Sequence, residues 1–186
     1  MNGYRQRGFS LLELLVTLFI IVLVTSLVTL NVGTGGAEYR QQRLVESIAD
    51  TANYALDEAQ FAGWDYGLLI SREDRGGESY YRLRWLERGP ERWRPPLSGK
   101  EVFADIDLEP GWQLELVLDG ALQDEQLFYP RVDAPAPQLV FFASGETLPG
   151  LLDLLDAQGN LLWRLEWDLL GNFRALREGV DEEEAL

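Results

Sequence analysis

The sequence predicts an α+β protein in which one long N-terminal helix packs on a C-terminal antiparallel β-sheet domain. Three features of the sequence support this prediction. The apolar residues are concentrated in a block near the N-terminus, and helical periodicity continues after the block. From Trp64 onward the pattern changes to short alternating runs separated by glycine and proline. The length of 186 residues fits one domain or two small ones.

The N-terminal apolar block is long enough to cross a membrane. No charged side chain occurs from Leu14 to Ala37. The apolar side chains between Leu11 and Leu30 favour insertion by roughly 4 to 9 kcal/mol, whereas Glu13 opposes it by about 3 kcal/mol at most. A helix over residues 9–32 is roughly 36 Å long, and a hydrocarbon core is about 30 Å thick. The sequence therefore predicts a transmembrane helix over residues 9–32.

The charges around the block predict its orientation. Arg5 and Arg7 precede the block, and most of the acidic residues follow it. The positive-inside rule then places the N-terminus in the cytoplasm and the rest of the chain across the membrane. A cleavable signal peptide is the alternative, but the apolar run is longer than a signal core, and only Gly33 to Ala37 resembles a cleavage site. We therefore expect the apolar segment to be retained.

The composition excludes several classes of function. The chain has no cysteine and no histidine, which removes disulfides, thiolate zinc sites, cysteine nucleophiles and imidazole catalysis. Lysine and arginine number 16 against 31 acidic residues, a formal net charge of -15, so nucleic acid is not an expected partner. Walker, dinucleotide and nucleophile-elbow patterns are missing, and no acidic pair stands out as catalytic. We expect no enzyme activity and no cofactor.

The residues that lead into the apolar block form a specific motif. Arg7-Gly8 is followed by Phe9-Ser10-Leu11-Leu12-Glu13. This motif closely resembles the leader of type IV prepilins and of type II secretion pseudopilins. The resemblance implies a leader peptide over residues 1–8, cleavage between Gly8 and Phe9 by a prepilin peptidase, and N-methylation of Phe9. It also implies an assembly role for Glu13, which becomes the fifth residue of the mature chain.

The physical chemistry of these residues agrees with the implied roles. Cleavage creates a positive α-amine on Phe9, and Glu13 follows about 6 Å further along the helix axis. An ionised carboxylate at membrane depth needs a cationic partner, and the new N-terminus of a neighbouring subunit can supply one. In the alternative interpretation, the Glu13 carboxylate extends to the lipid headgroups and has no role in assembly.

A periplasmic, amphipathic helix is predicted over residues 33–62, after the membrane segment. Glycines at its start predict a joint or a melted stretch there. From Glu38 to Phe61 small apolar residues share one face and charged residues the other, and Gly63 marks the end. We expect the apolar face to lie on the core of the β domain. Its positions are Leu44, Ile48, Ala52, Ala55, Ala59 and Ala62.

A β-rich periplasmic domain is predicted over residues 63–178. The clearest strand runs from Leu161 to Asp168, where apolar and polar residues alternate between the turn pairs Gly159-Asn160 and Gly171-Asn172. Its tryptophans are expected to belong to the core. Residues 179–186 are expected to form a solvated acidic tail. The other predicted strands are Trp64–Ser71, Ser79–Glu87, Glu101–Leu108, Trp112–Leu118, Leu127–Tyr129 and Gln138–Phe142.

The C-terminal half carries a second resemblance. Phe141-Phe142-Ala143-Ser144-Gly145-Glu146, then Pro149 and a strand pair ending near Gly171-Asn172, are similar to the corresponding part of H-type minor pseudopilins. The two resemblances together imply a pilin-like fold and a subunit of the periplasmic pseudopilus of a type II secretion system. They imply the major pseudopilin, the minor tip pseudopilins and the prepilin peptidase as partners. They also imply a single-pass location in the bacterial inner membrane.

Two other interpretations remain open from the sequence. A minor type IV pilin would serve in pilus assembly, adhesion or DNA uptake, and DNA capture needs a basic surface. The arginine-rich region from Arg72 to Arg94 also contains Glu73, Asp74, Glu87 and Glu91, so we expect a face of mixed charge there. An unrelated single-pass protein with a coincidental leader would not be processed by the prepilin peptidase.

A calcium site has to be considered, because the resemblance extends to major pseudopilins, which often carry one in their C-terminal loops. Asp105 and Asp107 form an isolated pair on a predicted strand, and Asp153 and Asp156 are predicted to point outward from another. None of them has the spacing of a calcium loop. We expect all four to be surface acids, and we expect no metal site.

Overall fold

The structure is a computed structural model that describes residues 11–97, 101–131 and 133–177, without the side chains of 24–35 and 37. In these residues one long helix, α1 (Leu11–Ala62), precedes two antiparallel sheets. The chain divides into two compact units, Met1–Leu44 and Val45–Leu186. The predicted α+β class is confirmed.

The first unit contains the apolar part of α1. The helix runs without interruption through Gly33, Gly35 and Gly36. The predicted joint or melted stretch at these glycines is therefore wrong. A glycine costs about 1 kcal/mol relative to alanine in a helix but can still adopt helical dihedral angles. The helical turns on both sides propagate through the glycines, because extending a helix is much easier than starting one.

The last turns of α1 lie on the core of the second unit. Ala52, Ala55 and Ala59 are completely buried, and Val45 and Ile48 continue the same face. Residues at spacings of three and four share one side of a helix, so this is the apolar face predicted from the sequence. Alanine side chains are short, and they allow the helix backbone to approach the sheets closely.

Ten strands follow the helix in the described residues, and they form two five-stranded sheets. Their bounds are β1 Tyr66–Arg75, β2 Glu78–Arg88, β3 Trp93–Arg94, β4 Ile106–Asp107, β5 Gln113–Leu118, β6 Ala121–Leu122, β7 Leu139–Phe141, β8 Gly150–Leu155, β9 Leu161–Trp167 and β10 Arg174–Arg177. One sheet has the order β3-β2-β1-β7, with β4 also paired to β2. The other has the order β10-β9-β8-β5-β6. All pairs are antiparallel.

A chain of aromatic rings connects the helix to both sheets. Phe103 packs against Tyr54 of α1 at 5.6 Å between ring centroids and against Trp85 of β2 at 5.8 Å. Trp85 contacts Phe141, which contacts Phe173, and Phe173 stacks on Trp167 of β9 at 5.0 Å. The prediction that the tryptophans of β9 belong to the core is confirmed, because Trp163 and Trp167 are buried.

Two predicted strands contain 3-10 helices in the structure. Glu101–Leu108 begins with a 3-10 helix, Glu101–Phe103, and only Ile106–Asp107 pairs with β2. Leu127–Tyr129 overlaps a second 3-10 helix, Glu125–Phe128. The Asp124 side chain accepts a hydrogen bond from the backbone N of Gln126 at 2.8 Å and so caps this helix. Capping by aspartate favours a helical turn over an extended chain.

Several strands were missed by the pattern analysis for physical reasons. β8 reads Gly-Leu-Leu-Asp-Leu-Leu, and a strand between two others in a sheet does not need clean alternation. No bounds were predicted for β8, although the second resemblance implied a strand pair there. β3, β6 and β10 have two to four residues each, too few to show a period.

The four acids considered for calcium have separate structural roles. Asp153 is only 8% exposed and forms an ion pair with Arg164, with Oδ1 2.7 Å from Nε. The expectation of a surface acid is wrong for Asp153, because the neighbouring strand covers its carboxylate. Asp107 pairs with Arg82, Asp156 binds Asn160 in the turn after β8, and Asp105 is exposed. In the described ranges no group of three acidic, histidine or cysteine side chains could hold a metal ion.

The Asp153–Arg164 pair yields a prediction for stability. Asp153→Asn removes the charge and leaves a partly covered guanidinium without its carboxylate, which should lower the free energy of unfolding by about 1–3 kcal/mol. Denaturant unfolding of the full chain in detergent, followed by tryptophan fluorescence, measures this loss. The control is Glu91→Gln in the exposed segment between β2 and β3, which should change the value by less than about 0.5 kcal/mol. Equal effects of the two substitutions would contradict a specific role for the pair.

Candidate functional site

The apolar part of α1 has an exposed hydrophobic surface. From Leu11 to Leu23 every large apolar side chain is between 46% and 79% exposed. These residues occupy successive positions, so the apolar surface surrounds the helix instead of forming one stripe. A continuous apolar surface of this size indicates a region that lipid or protein covers.

The polar groups of this segment are compatible with an apolar environment. The Thr17 hydroxyl donates to the backbone oxygens of Glu13 at 2.8 Å and Leu14 at 2.9 Å. A hydroxyl that bonds to its own helix backbone does not require water. Glu13 lies in the first turn of α1, where the helix dipole favours a negative charge.

Only one of the three predicted site residues can be placed. Glu13 lies on the exposed surface in the first turn of the helix. Gly8 and Phe9 lie outside the described residues, as does the cleavage site that they define. The structure therefore locates the predicted assembly residue and does not test the processing residues.

Within the described residues no helix is both long and apolar enough to cross a membrane. The transmembrane segment expected over residues 9–32 reaches beyond them, because residues 9 and 10 and the side chains of 24–32 are not described.

A tight turn in the second unit fixes the C-terminal end of α1. In residues 142–146 the backbone N of Gly145 donates to the backbone oxygen of Phe142 at 2.9 Å. Gly145 has a φ of +88°, and a Cβ there would lie 2.9 Å from Oε1 of Gln60 on the helix. The Asp65 carboxylate accepts a hydrogen bond from the backbone N of Ala143 at 3.0 Å. The turn therefore holds the helix end against the sheet that contains β7.

A second turn over residues 168–172 binds the same region. Asp168 accepts hydrogen bonds from the Asn172 side chain at 2.7 Å and its backbone N at 3.0 Å. These bonds lower the pKa of Asp168 below its ordinary value. Thr147, which follows the first turn, donates from its backbone N to the Leu169 oxygen at 3.0 Å. Gly171 has a φ of +71°, and a Cβ there would lie 2.4 Å from Cδ2 of Leu56.

The comparisons with known proteins agree with both resemblances. Residues 3–29 match the family model described as the prokaryotic N-terminal methylation motif. Type II secretion system protein H of Aeromonas hydrophila is 27% identical over 98% of this chain and 100% of its own length. The protein of the same name from Vibrio cholerae is 27% identical over 96% of this chain and 98% of its own. The Pseudomonas aeruginosa protein is 28% identical, with coverage of 81% and 84%.

Solved structures of minor pseudopilins share the fold. A structure of EpsH from the type 2 secretion system of Vibrio cholerae has a TM-score of 0.57 and 28% identity, and the match covers 74% of this chain and 96% of that one. Another structure of EpsH has a TM-score of 0.55 with the same identity, over 72% and 90% of the two chains. In sequence and in fold the chain is similar to the H-type minor pseudopilins of type II secretion systems.

The similarity to these proteins favours one of the interpretations left open by the sequence. The relatives are type II secretion proteins, which supports a pseudopilin and not a minor type IV pilin. The family is structural, and it implies association with other pseudopilins and with the prepilin peptidase. The methylation motif and the family together indicate a protein anchored in the inner membrane.

The arginine-rich region of the pseudopilin has a mixed-charge face, as the sequence predicted. Arg82 lies between Asp107, at 2.6 Å, and Glu73, at 3.2 Å. The Arg82 guanidinium lowers the pKa of Asp107. Arg94 pairs with the buried Glu87 at 2.9 Å, and Arg72 pairs with Glu125. These arginines are neutralised within the domain and do not form a basic stripe.

The two turns make contacts with the helix end that the sequence pattern did not predict. Gly171-Asn172 was predicted as a turn, but its packing against Leu56 could not be read from the pattern. The motif that begins at Phe141 was noted only for its resemblance. Its glycine, Gly145, was the available signal for a turn.

The lowered pKa of Asp168 predicts a pH dependence. A depressed carboxyl pKa contributes stability above its unfolded-state value, about 3.9, and this contribution is lost as the pH falls through the folded-state value. Asp168→Asn should therefore reduce the unfolding free energy at pH 6 and reduce it less at pH 3. Paired denaturant titrations of wild type and variant at the two pH values measure this difference.

The turn after β8 provides an independent replicate. Hydrogen bonds from Asn160 lower the pKa of Asp156 in the same way. Asp156→Asn should therefore also reduce the unfolding free energy less at pH 3 than at pH 6. If the unfolding free energies of wild type and of each variant differ by the same amount at pH 3 and at pH 6, the assigned role of the carboxylates is contradicted.

Proposed function

We propose that this pseudopilin is a structural subunit of the periplasmic pseudopilus of a type II secretion system. It assembles through its N-terminal helix and so helps to export folded proteins across the outer membrane. The observation that carries the proposal is the exposed apolar surface from Leu11 to Leu23, with Glu13 at its start. Lipid can cover such a surface before assembly, and the helices of neighbouring subunits can cover it afterwards.

Processing prepares this helix for assembly. The prepilin peptidase removes residues 1–8 by cleavage after Gly8 and methylates the new N-terminus at Phe9. Gly8 suits this step, because a residue without a side chain leaves the scissile carbonyl accessible. The match of residues 3–29 to the methylation motif supports the assignment.

The Glu13 carboxylate then sets the axial position of each subunit. The α-amine of Phe9 keeps its positive charge after methylation, and the carboxylate lies about one helical turn away. Between subunits, a neighbour's amine and this carboxylate can neutralise each other in the apolar layer. An unpaired carboxylate there costs about 3 kcal/mol, so the paired register is favoured.

The orientation follows from the flanking charges. Arg5 and Arg7 keep the N-terminus in the cytoplasm, and the acidic second unit lies in the periplasm. The subunit crosses the inner membrane once. Its partners are the major pseudopilin and the minor pseudopilins of the tip.

The processing step predicts a defined change of mass. Co-expression with the peptidase should yield a membrane-extracted chain that lacks Met1 to Gly8 and carries one added methyl group. Intact-mass spectrometry, with and without the peptidase, measures this. Gly8→Val should block cleavage, because the side chain obstructs the scissile carbonyl, whereas the control Gly3→Val should be processed normally. A mature chain that begins beyond Ala37 would refute retention of the helix.

Charge pairing at Glu13 predicts a specific assembly defect. Glu13→Ala should insert into the membrane normally but enter sheared pseudopili about tenfold less, since a loss of about 1.4 kcal/mol changes an equilibrium tenfold. Immunoblots of the membrane and sheared fractions at native expression measure both quantities. The control Thr17→Ala should incorporate normally, because its hydroxyl bonds within the helix. Normal incorporation of Glu13→Ala would count against pairing.

A further inference from the structure

One end of the second unit exposes large apolar side chains that the core does not use. They lie on the C-terminal end of α1 and on the turns over residues 142–146 and 168–172, or directly beside them. Their exposures range from 38% at Phe142 to 90% at Phe61. We name this surface the apolar end. Its members are Phe61, Trp64, Phe142, Leu148, Leu169 and Leu170.

Short contacts join the three segments of the apolar end. The Asp65 carboxylate accepts from the backbone N of Ala143 at 3.0 Å. The backbone N of Thr147 donates to Leu169 at 3.0 Å, and Gly171 lies against the Leu56 side chain. The apolar side chains are therefore presented by a fixed framework and not by independent loops. Exposed apolar groups on a fixed framework are typical of a protein interface.

The charges around the apolar end indicate the kind of partner. Asp57 and Glu146 are exposed on the same three segments, and Asp168 lies between Trp167 and the two exposed leucines. The segments 56–65, 142–149 and 168–172 contain no lysine and no arginine. Two arginines lie nearby, but Arg88 stacks over the Trp93 ring. The other, Arg174, interacts with Asp168 and lowers its pKa.

An acidic rim excludes two possible occupants on electrostatic grounds. A second copy of the chain would bring the same carboxylates against each other, in a protein with a net charge of -15. An anionic membrane surface would be repelled in the same way. A protein surface with an apolar centre and lysine or arginine at its rim is complementary to the apolar end in both hydrophobicity and charge.

We propose that the apolar end docks a different subunit of the same pseudopilus, through a surface that is apolar at its centre and basic at its rim. This inference rests on the proposed function, because it assumes that the chain is built into a pseudopilus. The inference goes beyond the proposed function in two ways. It specifies which part of the periplasmic domain contacts the neighbouring subunit, and it specifies the surface chemistry by which that neighbour is selected.

Photo-cross-linking in cells tests the position of this interface. A photoreactive phenylalanine analogue replaces Leu170 or Leu148 in the full chain, in cells that make the complete set of pseudopilins with individual epitope tags. The matched control is the same analogue at Leu97, which is 70% exposed and lies outside the apolar end. We expect both test positions to cross-link one pseudopilin other than this chain, at least tenfold above the control. Cross-links only to copies of this chain, or yields equal to the control, would overturn the proposal.

Substitutions test the chemistry of the interface. Leu170→Arg and Glu146→Lys should each reduce recovery of the cross-linked partner at least tenfold, and 0.5 M salt should weaken the wild-type interaction. The matched controls Leu97→Arg and Glu91→Lys should leave recovery of the cross-linked partner unchanged. All four positions are exposed, and unchanged unfolding midpoints will show that each variant is folded. Full recovery with Leu170→Arg and Glu146→Lys would also overturn the proposal.

The outcome can be separated from the fate of the proposed function. If the wild-type chain is not processed and does not enter sheared pseudopili, the proposed function fails. If it is processed and incorporated but the apolar end makes no specific cross-link, the inference about the apolar end fails alone.

Discussion

The close approach of α1 to the aromatic core is the constraint on which the second unit depends. Ala52, Ala55 and Ala59 have no exposed surface, so larger side chains at these positions would displace the helix. Tyr54 on the adjacent side of the helix reaches Phe103, and from there ring contacts continue through both sheets. The small residues and the rings therefore act together: the alanines set the distance, and the aromatic rings fill the space beside them.

The helix end could not be held at this distance without the two glycine turns. Gly145 and Gly171 both have positive φ, and a Cβ at Gly171 would lie 2.4 Å from Cδ2 of Leu56 on α1. Asp65 and Asp168 complete the arrangement by accepting backbone hydrogen bonds across the turns. One set of contacts thus fixes the helix end and presents the apolar end to a partner. A mutation in the turns would alter both stability and the shape of that surface.

The sequence predicted the features that depend on local pattern. The helical face with Ile48, Ala52 and Ala55 and the alternating strand β9 follow from side-chain period alone. The predicted interruption at the glycines was wrong. The low helix propensity of a glycine costs about 1 kcal/mol, which is not enough to break a helix that continues on both sides. The segment at Phe103 was predicted as a strand, but it forms a 3-10 turn in which the Phe103 ring packs against Tyr66 and Trp85. These contacts are distant in sequence, so the local pattern could not predict them.

The candidate site divides in the same way. Roles for Gly8, Phe9 and Glu13 could be predicted because the three residues belong to one continuous motif. The ion pair of Asp153 depends on strand register, which places Arg164 directly across from it. The apolar end could not be predicted from the sequence pattern, because its members come from three separate segments. In the sequence each of them resembles an ordinary loop or helix-end residue. Only the hydrogen bonds between the turns show that they form one surface.

Net charge and apolar exposure together restrict where such a subunit fits in a filament. Copies of a chain with a net charge of -15 repel one another, and at physiological ionic strength this repulsion acts over about 8 Å, the range of direct neighbours. Helix packing in the apolar layer favours assembly of any subunit and does not distinguish copies from other pseudopilins. The discrimination must then come from the periplasmic domains, where a basic neighbour is attracted and a copy is not. A chain with these properties is suited to a position flanked by different subunits.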